Sequence, residues 1–217
     1  MNRPLARSHG FTLVEIMVGL TIGLFGIIIM MQVFALAEQT KRTTSAGSDA
    51  QSNGAIALYG LQRDVRQAGY GVSDAKIIGC NVTLRTSITV NSLGPVVINH
   101  ASVPAGDANT DTLVVFYGST NGTTQGDGIT SQPATGTYAV QTPTSFVAND
   151  RVLASPSTRA SPCNLTLDSV TASASPNVSV TTGVAGMSGG TLFNAGASPK
   201  VFAYAIRSGN LTQCDWM

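Results

Sequence analysis

Charge is scarce in this chain. Lys, Arg, Asp and Glu make up 11% of its 217 residues, against roughly 25% in an ordinary soluble domain, and the 12 Lys and Arg nearly cancel the 11 Asp and Glu. Such a chain has no basic stripe to hold a phosphate backbone, so nucleic acid is not an expected partner. Histidine is rarer still, with only His9 and His100 present. A lone histidine between Pro95 and Pro104 reads as a loop residue, and without a base nearby the many serines are not nucleophile candidates. The cysteines, Cys80, Cys163 and Cys214, form no CxxC pair and no Cys/His spacing of the zinc kind. A single tryptophan and scattered cations offer no clustered groove for a ligand. These absences argue against an enzyme and leave no catalytic, cofactor-binding or metal-binding residues to nominate.

What is abundant is Ser, Thr, Asn and Gly, set among 43% hydrophobic residues. That mixture suits an exported β-rich domain better than a cytosolic enzyme, and it is too apolar for a disordered tail. At the N-terminus lies a long hydrophobic run in which, from Phe11 to Ala37, Glu15 is the only charged residue. A spanning helix needs about 20 apolar residues, so the run is long enough to cross a bilayer. A cleaved secretory signal has a shorter core with small residues after it, whereas here the small residue, Gly10, stands in front. A carboxylate inside hydrocarbon costs about 2.5–3.5 kcal/mol at a helix centre and less near an end, so Glu15 needs a partner. The expected partner is a cation from another subunit. Arg3 and Arg7 before the run balance Lys41 and Arg42 after it, so flanking charge does not decide orientation.

Beyond the run, Gln51, Gly54, Leu58, Leu61, Val65 and Ala68 recur at spacings of three and four. This predicts an amphipathic continuation of the helix over 38–70 with that stripe toward a core, and with Arg63, Asp64, Arg66 and Gln67 outside it. The polar stretch with Gly47 and Gly54 predicts a bend or loosened turn near 45–54, and Gly69 and Gly71 should close the helix. The pattern then changes to period two. Val82, Leu84, Ile88 and Val90 alternate with polar residues as one strand, and further strands are expected at Thr112–Tyr117, Thr137–Gln141, Arg151–Ala154, Leu165–Thr171, Val178–Thr182 and Val201–Arg207. Gly118–Gly128, Gly183–Gly190 and Ser208–Asn210 read as turns. The expected fold class is α+β, a long N-terminal helix packed on an antiparallel β-sheet domain over 71–217.

The N-terminal residues carry a family resemblance. A short basic leader ending in Gly10, then Phe11, then Thr12-Leu13-Val14-Glu15 and an unbroken apolar helix, resembles the class III signal of type IV prepilins. The resemblance implies a leader over 1–10 removed by prepilin peptidase between Gly10 and Phe11, and N-methylation of Phe11. It also implies a transmembrane and filament-core helix over 11–37, and pairing of Glu15 with the N-terminal amine of a neighbouring subunit. The implied setting is the inner membrane, crossed once, with the C-terminal domain in the periplasm before incorporation into the pilus. Partners would be prepilin peptidase, other major and minor pilins and the inner-membrane assembly platform. Leu61–Gly71, Asp111–Gly118, Asn149–Leu153, Tyr204–Arg207 and Gly209–Leu211 resemble the PilW minor pilins, whose implied role is in a priming or tip complex. Such proteins continue past the position matching Cys214, so the resemblance leaves open whether the sheet is complete. The rival is a minor pseudopilin of type II secretion, of the GspJ kind. From a different class comes a membrane-anchored adhesin or ligand-binding module.

Three cysteines are an odd count for an oxidising compartment. The expected disulfide is Cys80 with Cys163, leaving Cys214 over, and the alternative is Cys163 with Cys214. Asp107, Asp111 and Asp127 lie in Gly/Asn-rich loops without the EF-hand pattern and read as solvated turns. Gly186–Gly190 lacks the GxGxxG spacing of a phosphate cradle. The sequons at Asn81, Asn121, Asn164, Asn177 and Asn210 are expected by chance in a chain this rich in Ser and Thr.

Overall fold

The computed structural model describes residues 10–85, 88–119 and 123–217; residues 1–9 of the expected leader, with Arg3, Arg7 and His9, and also Ser87 and Asn121 lie outside them. One helix, α1 (Leu13–Gln67), precedes β1 (Asn81–Arg85), β2 (Ile88–Val90), β3 (Val96–Ile98), β4 (Leu113–Tyr117), β5 (Asp127–Ala134), β6 (Thr137–Val140), β7 (Arg151–Ser155), β8 (Asn164–Ala174), β9 (Asn177–Val180), β10 (Thr191–Gly196), β11 (Lys200–Arg207) and β12 (Asn210–Asp215). The fold class is α+β, one long N-terminal apolar helix followed by mainly antiparallel sheets. The chain divides into two compact units, Met1–Ile56 and Ala57–Met217.

In the first unit, α1 passes Gly47 and Gly54 without interruption, which corrects the expected loosened turn. The polar stretch supports itself locally. Thr40, Thr43 and Thr44 donate their hydroxyls to the carbonyls of Leu36, Gln39 and Thr40, and Arg42 pairs with Glu38 one turn earlier at 3.0 Å. Exposed pairs of this spacing add only tenths of a kcal/mol each, and a glycine costs about 1 kcal/mol against alanine, so no single glycine breaks so long a helix.

In the second unit, β8, β7, β10, β5, β6 and β9 pair in succession, and a further β8–β9 pairing closes the ring into a small barrel. Its interior is filled by Ile129, Tyr138, Val140, Val152, Val170, Val178 and Leu192, so it is packed core. A separate sheet, in the order β12-β11-β4-β3, contributes Val114, Phe116, Val201 and Ala203 to a second cluster with Leu153, Phe193 and Ala195. Strands β7 and β10 lie between the two cores. Along β10, Leu192 enters the barrel while its neighbours Phe193 and Ala195 enter the second cluster, and all six residues are buried. A strand covered on both faces lacks polar alternation, and period-two reading passes over it.

Other strand expectations also change. The predicted single strand over 82–90 is a hairpin, β1 against β2 with Val82 opposite Val90, so its two halves share a ladder. The sheets are not wholly antiparallel, because β1 runs parallel to β8 with Asn81 opposite Asn164. Strands β3, β5, β10 and β12 were not anticipated, and β5 begins inside the expected Gly118–Gly128 turn. Gly69 closes the helix at φ +83°, where an added Cβ would meet the Pro95 ring at 3.0 Å. Its N–H donates to the Phe116 carbonyl at 2.8 Å and ties the helix end to β4.

The inward face of the helix keeps Leu61 and Ala68 of the expected stripe and differs at its other positions in this unit. Leu58 and Val65 are 64% and 40% exposed, whereas Ala57, Gly60, Leu61, Asp64 and Ala68 face inward. Asp64, assigned to the polar face by its type, is 1% exposed and is the buried residue of α1. Tyrosine hydroxyls compensate its burial, a match that hydrophobic periodicity does not detect.

Candidate assembly site

Gly10 and Phe11 precede the helix in non-helical, exposed backbone. Thr12 then starts α1. Its carbonyl accepts from the Ile16 N–H at 3.2 Å and its hydroxyl from the Glu15 N–H at 3.3 Å. Thr12-Leu13-Val14-Glu15 has the spacing of a capping box, so Glu15 lies three residues after the cap, in the first turn, where the helix dipole favours an acid. Its side chain is exposed. The T-x-x-E signal was present in the sequence and marks the helix start more sharply than the hydrophobic run does.

From Phe11, 80% exposed, to Leu36, the least exposed large apolar side chain is Ile28, at 44%. α1 is long and apolar enough to cross a membrane. Such a surface needs lipid or other apolar helices around it. The site is therefore a linear arrangement of an open Gly10–Phe11 junction, a capped helix start, one carboxylate and an apolar rod.

The other sequence candidates are held in structural roles. Cys80 and Cys163 are joined as a disulfide, and Cys214 is free and exposed on β12, not joined to Cys163. His100 lies in a loop, as expected, and is buried there, stacked edge-on to Trp216 at 5.7 Å, with the Asn91 and Ser102 N–H groups directed at its ring nitrogens. Burial pushes its pKa below the ordinary value. Asp127 is likewise buried, which corrects its reading as a solvated turn; it accepts from the Gln141 and Thr142 N–H groups and the Thr142 hydroxyl. Asp107 receives the Ser208 and Gly209 N–H groups, which lower its pKa, and Asp111 accepts from Asn99. Among the described residues no three His, Cys, Asp or Glu side chains gather as a metal would require.

Two features had no sequence forecast. A cleft of about 720 Å³ opens where α1 ends, lined among others by Arg66, Tyr70, Ser73 and Tyr117, and the described residues of its lining include no carboxylate, histidine or cysteine to form an acid–base pair. Beside it, Asp64 accepts from the Tyr117 hydroxyl at 3.2 Å and the Tyr204 hydroxyl at 2.5 Å. Burial first, then the Asp64 charge, pushes Tyr117 up to about 12 and raises Tyr204 as well, so both phenols remain protonated donors.

Comparison with known proteins agrees with the N-terminal geometry. Residues 5–31 match the family described as the prokaryotic N-terminal methylation motif. No curated protein and no solved structure matches the chain. The chain thus carries the N-methylation motif of prokaryotic prepilin-like proteins, the type IV pilins and pseudopilins. That motif, with the hydrophobic helix, supports processing by prepilin peptidase, membrane anchoring and assembly with other pilins.

Proposed function

We propose that this chain is a minor pilin of the PilW type, a structural rather than catalytic subunit that joins a priming or tip complex of a type IV pilus. The observation that carries the reading is Glu15, an exposed carboxylate in the first turn of an uncovered apolar helix, directly behind an open Gly10–Phe11 junction. The helix holds the precursor in the inner membrane, with the leader on the cytoplasmic side and the sheet domain in the periplasm. Cleavage after Gly10 creates an amine on Phe11, which is then methylated. An unmodified terminal amine titrates at about 7.7–8.0 and is largely protonated at neutral pH. That cation lies at the positive end of the helix dipole, so a carboxylate nearby relieves it.

In the assembled bundle the apolar faces of major and minor pilins replace lipid, and the platform in the inner membrane supplies the subunits. Glu15 of one subunit meets the amine of the next. A buried pair of this sort acts chiefly as a register device, because its desolvation offsets most of its attraction. The methylation motif is shared with pseudopilins, so a minor pseudopilin of a type II secretion system, of the GspJ kind, is the second reading.

The test is Glu15→Ala in the full chain. Membrane insertion should persist or improve while incorporation into the filament is lost, and Glu15→Asp should restore part of it. Normal incorporation of Glu15→Ala would overturn the assembly role.

A further inference from the structure

The assembly reading makes no use of Asp64, yet Asp64 is the buried residue of α1 and an expensive one to bury. Both of its oxygens are engaged. Oδ2 accepts from the Tyr204 hydroxyl, and Oδ1 accepts from the Tyr117 hydroxyl at 3.2 Å, with the Arg63 Nε at 3.5 Å. The donors stand on adjacent strands whose register is set by five paired positions, Tyr204 lying opposite Leu113 and Lys200 opposite Tyr117. Their rings are themselves held. Phe202 lies edge-on to both, at 6.2 Å from Tyr117 and 6.3 Å from Tyr204, and the Gln213 side chain donates to the Tyr204 hydroxyl at 2.9 Å.

The apolar neighbours of Asp64 on the inward side of the helix are mostly small. Ala57, Gly60 and Ala68 offer little side chain to interlock, and only Leu61 is large. Small residues allow close approach but do not choose a rotational angle. A carboxylate with two aimed donors does, because a rotation of one residue, about 100° around the helix, would set Arg63 or Val65 under the phenols. Val115 is fully buried on the β4 face opposite Val114 and Phe116, the face from which Tyr117 reaches Asp64.

We propose that Asp64 is a positioning residue which, with the Tyr117 and Tyr204 hydroxyls, locks the rotational setting of the Ala57–Gln67 segment on the four-stranded sheet. The lock thereby decides which apolar stripe, Leu58 with Val65, stays open to the helix of a neighbouring prepilin-like subunit. The first half stands on the geometry alone. The second half rests on the assembly reading above.

The experiment uses the full chain in detergent micelles, in a Cys214→Ser background, with single cysteines introduced as Ala57→Cys, Leu58→Cys, Leu61→Cys or Val65→Cys and labelled with a maleimide. With Asp64 present, Leu58→Cys and Val65→Cys should label fast and Ala57→Cys and Leu61→Cys slowly. Adding Asp64→Ala removes charge-assisted hydrogen bonds and should raise labelling at 57 and 61 by roughly tenfold, with the Cys80–Cys163 disulfide intact, while Asp64→Asn, which keeps an acceptor, gives a smaller change. If Asp64→Ala fails to fold, Tyr117→Phe with Tyr204→Phe removes only the hydroxyls and should give the same shift. An unchanged labelling pattern in whichever of these variants folds overturns the lock, whatever happens to incorporation. A shifted pattern with undiminished incorporation upholds the lock and overturns its link to assembly.

Discussion

Cys80 and Cys163 each stand one residue ahead of a strand, and those strands, β1 and β8, run parallel with Asn81 opposite Asn164. The parallel register brings the two cysteines together at the same end, with their Cα atoms 4.7 Å apart, although 83 positions separate them in sequence. Immediately beyond the bridge the Asn81 N–H donates to the Cys163 carbonyl at 2.8 Å, and the Asn81 amide donates to the Asn164 side chain at 3.0 Å. Covalent bond and ladder hold the β1–β2 hairpin to the barrel together.

Replacing both cysteines, by Cys80→Ala with Cys163→Ala, should therefore destabilise the sheet unit by about 2–5 kcal/mol, since the bridge closes a long loop in the unfolded chain. Denaturant unfolding of the full chain in detergent, followed by Trp216 fluorescence, reads the change. An unaltered midpoint would mean that the ladder suffices alone.

Gly10→Ala places a side chain at the junction proposed for cleavage, in open space, with no heavy atom of the described residues within 4 Å of where its Cβ would stand. Folding should be unaffected and processing reduced. Mass spectrometry of the membrane fraction checks this, and a mature mass equal to wild type would argue against cleavage at that bond.

His100 gives a pH dependence whose sign follows from its burial. Its folded-state pKa lies below the ordinary 6.5, so below that pH the unfolded chain takes up a proton that the folded chain resists. Stability contributed by neutral His100 should be fully present above pH 6.5 and lost progressively as pH falls toward the folded-state pKa. His100→Gln should flatten this part of the profile. The check is the thermal midpoint across the range, and parallel profiles for variant and wild type would contradict the assignment.

Leu192→Ala removes a fully buried side chain from the barrel interior and should cost about 2–5 kcal/mol through lost burial and the cavity left behind. Val147, 64% exposed, is the control, and Val147→Ala should change stability by less than about 0.5 kcal/mol. Equal effects of the two in denaturant unfolding would mean that the barrel interior relaxes around the loss.

The N-terminal features were legible because they are local. A charge in an apolar run, a glycine before it and a T-x-x-E spacing can all be read along a few turns, and the helix needs only neighbouring carbonyls and N–H groups to form. Legibility declined as contacts became distant. Leu192 and Phe193 carry no period-two signal, since alternate side chains serve two different cores. Val82 and Val90 share a period without revealing that they face each other across a hairpin. His100 and Asp127 looked like loop residues, and their burial depends on backbone N–H groups from other segments.

From the sequence alone came the apolar rod, the Gly10–Phe11 junction, the place of Glu15 and the α+β class, all carried by local pattern and composition. Only the tertiary structure decided that β1 and β8 run parallel, that a ring of strands closes into a barrel, and that α1 turns Asp64 inward. A carboxylate is polar by type and is buried only where donors meet it. Those donors, Tyr117 and Tyr204, come from strands 53 and 140 residues away, a distance across which no periodicity carries information.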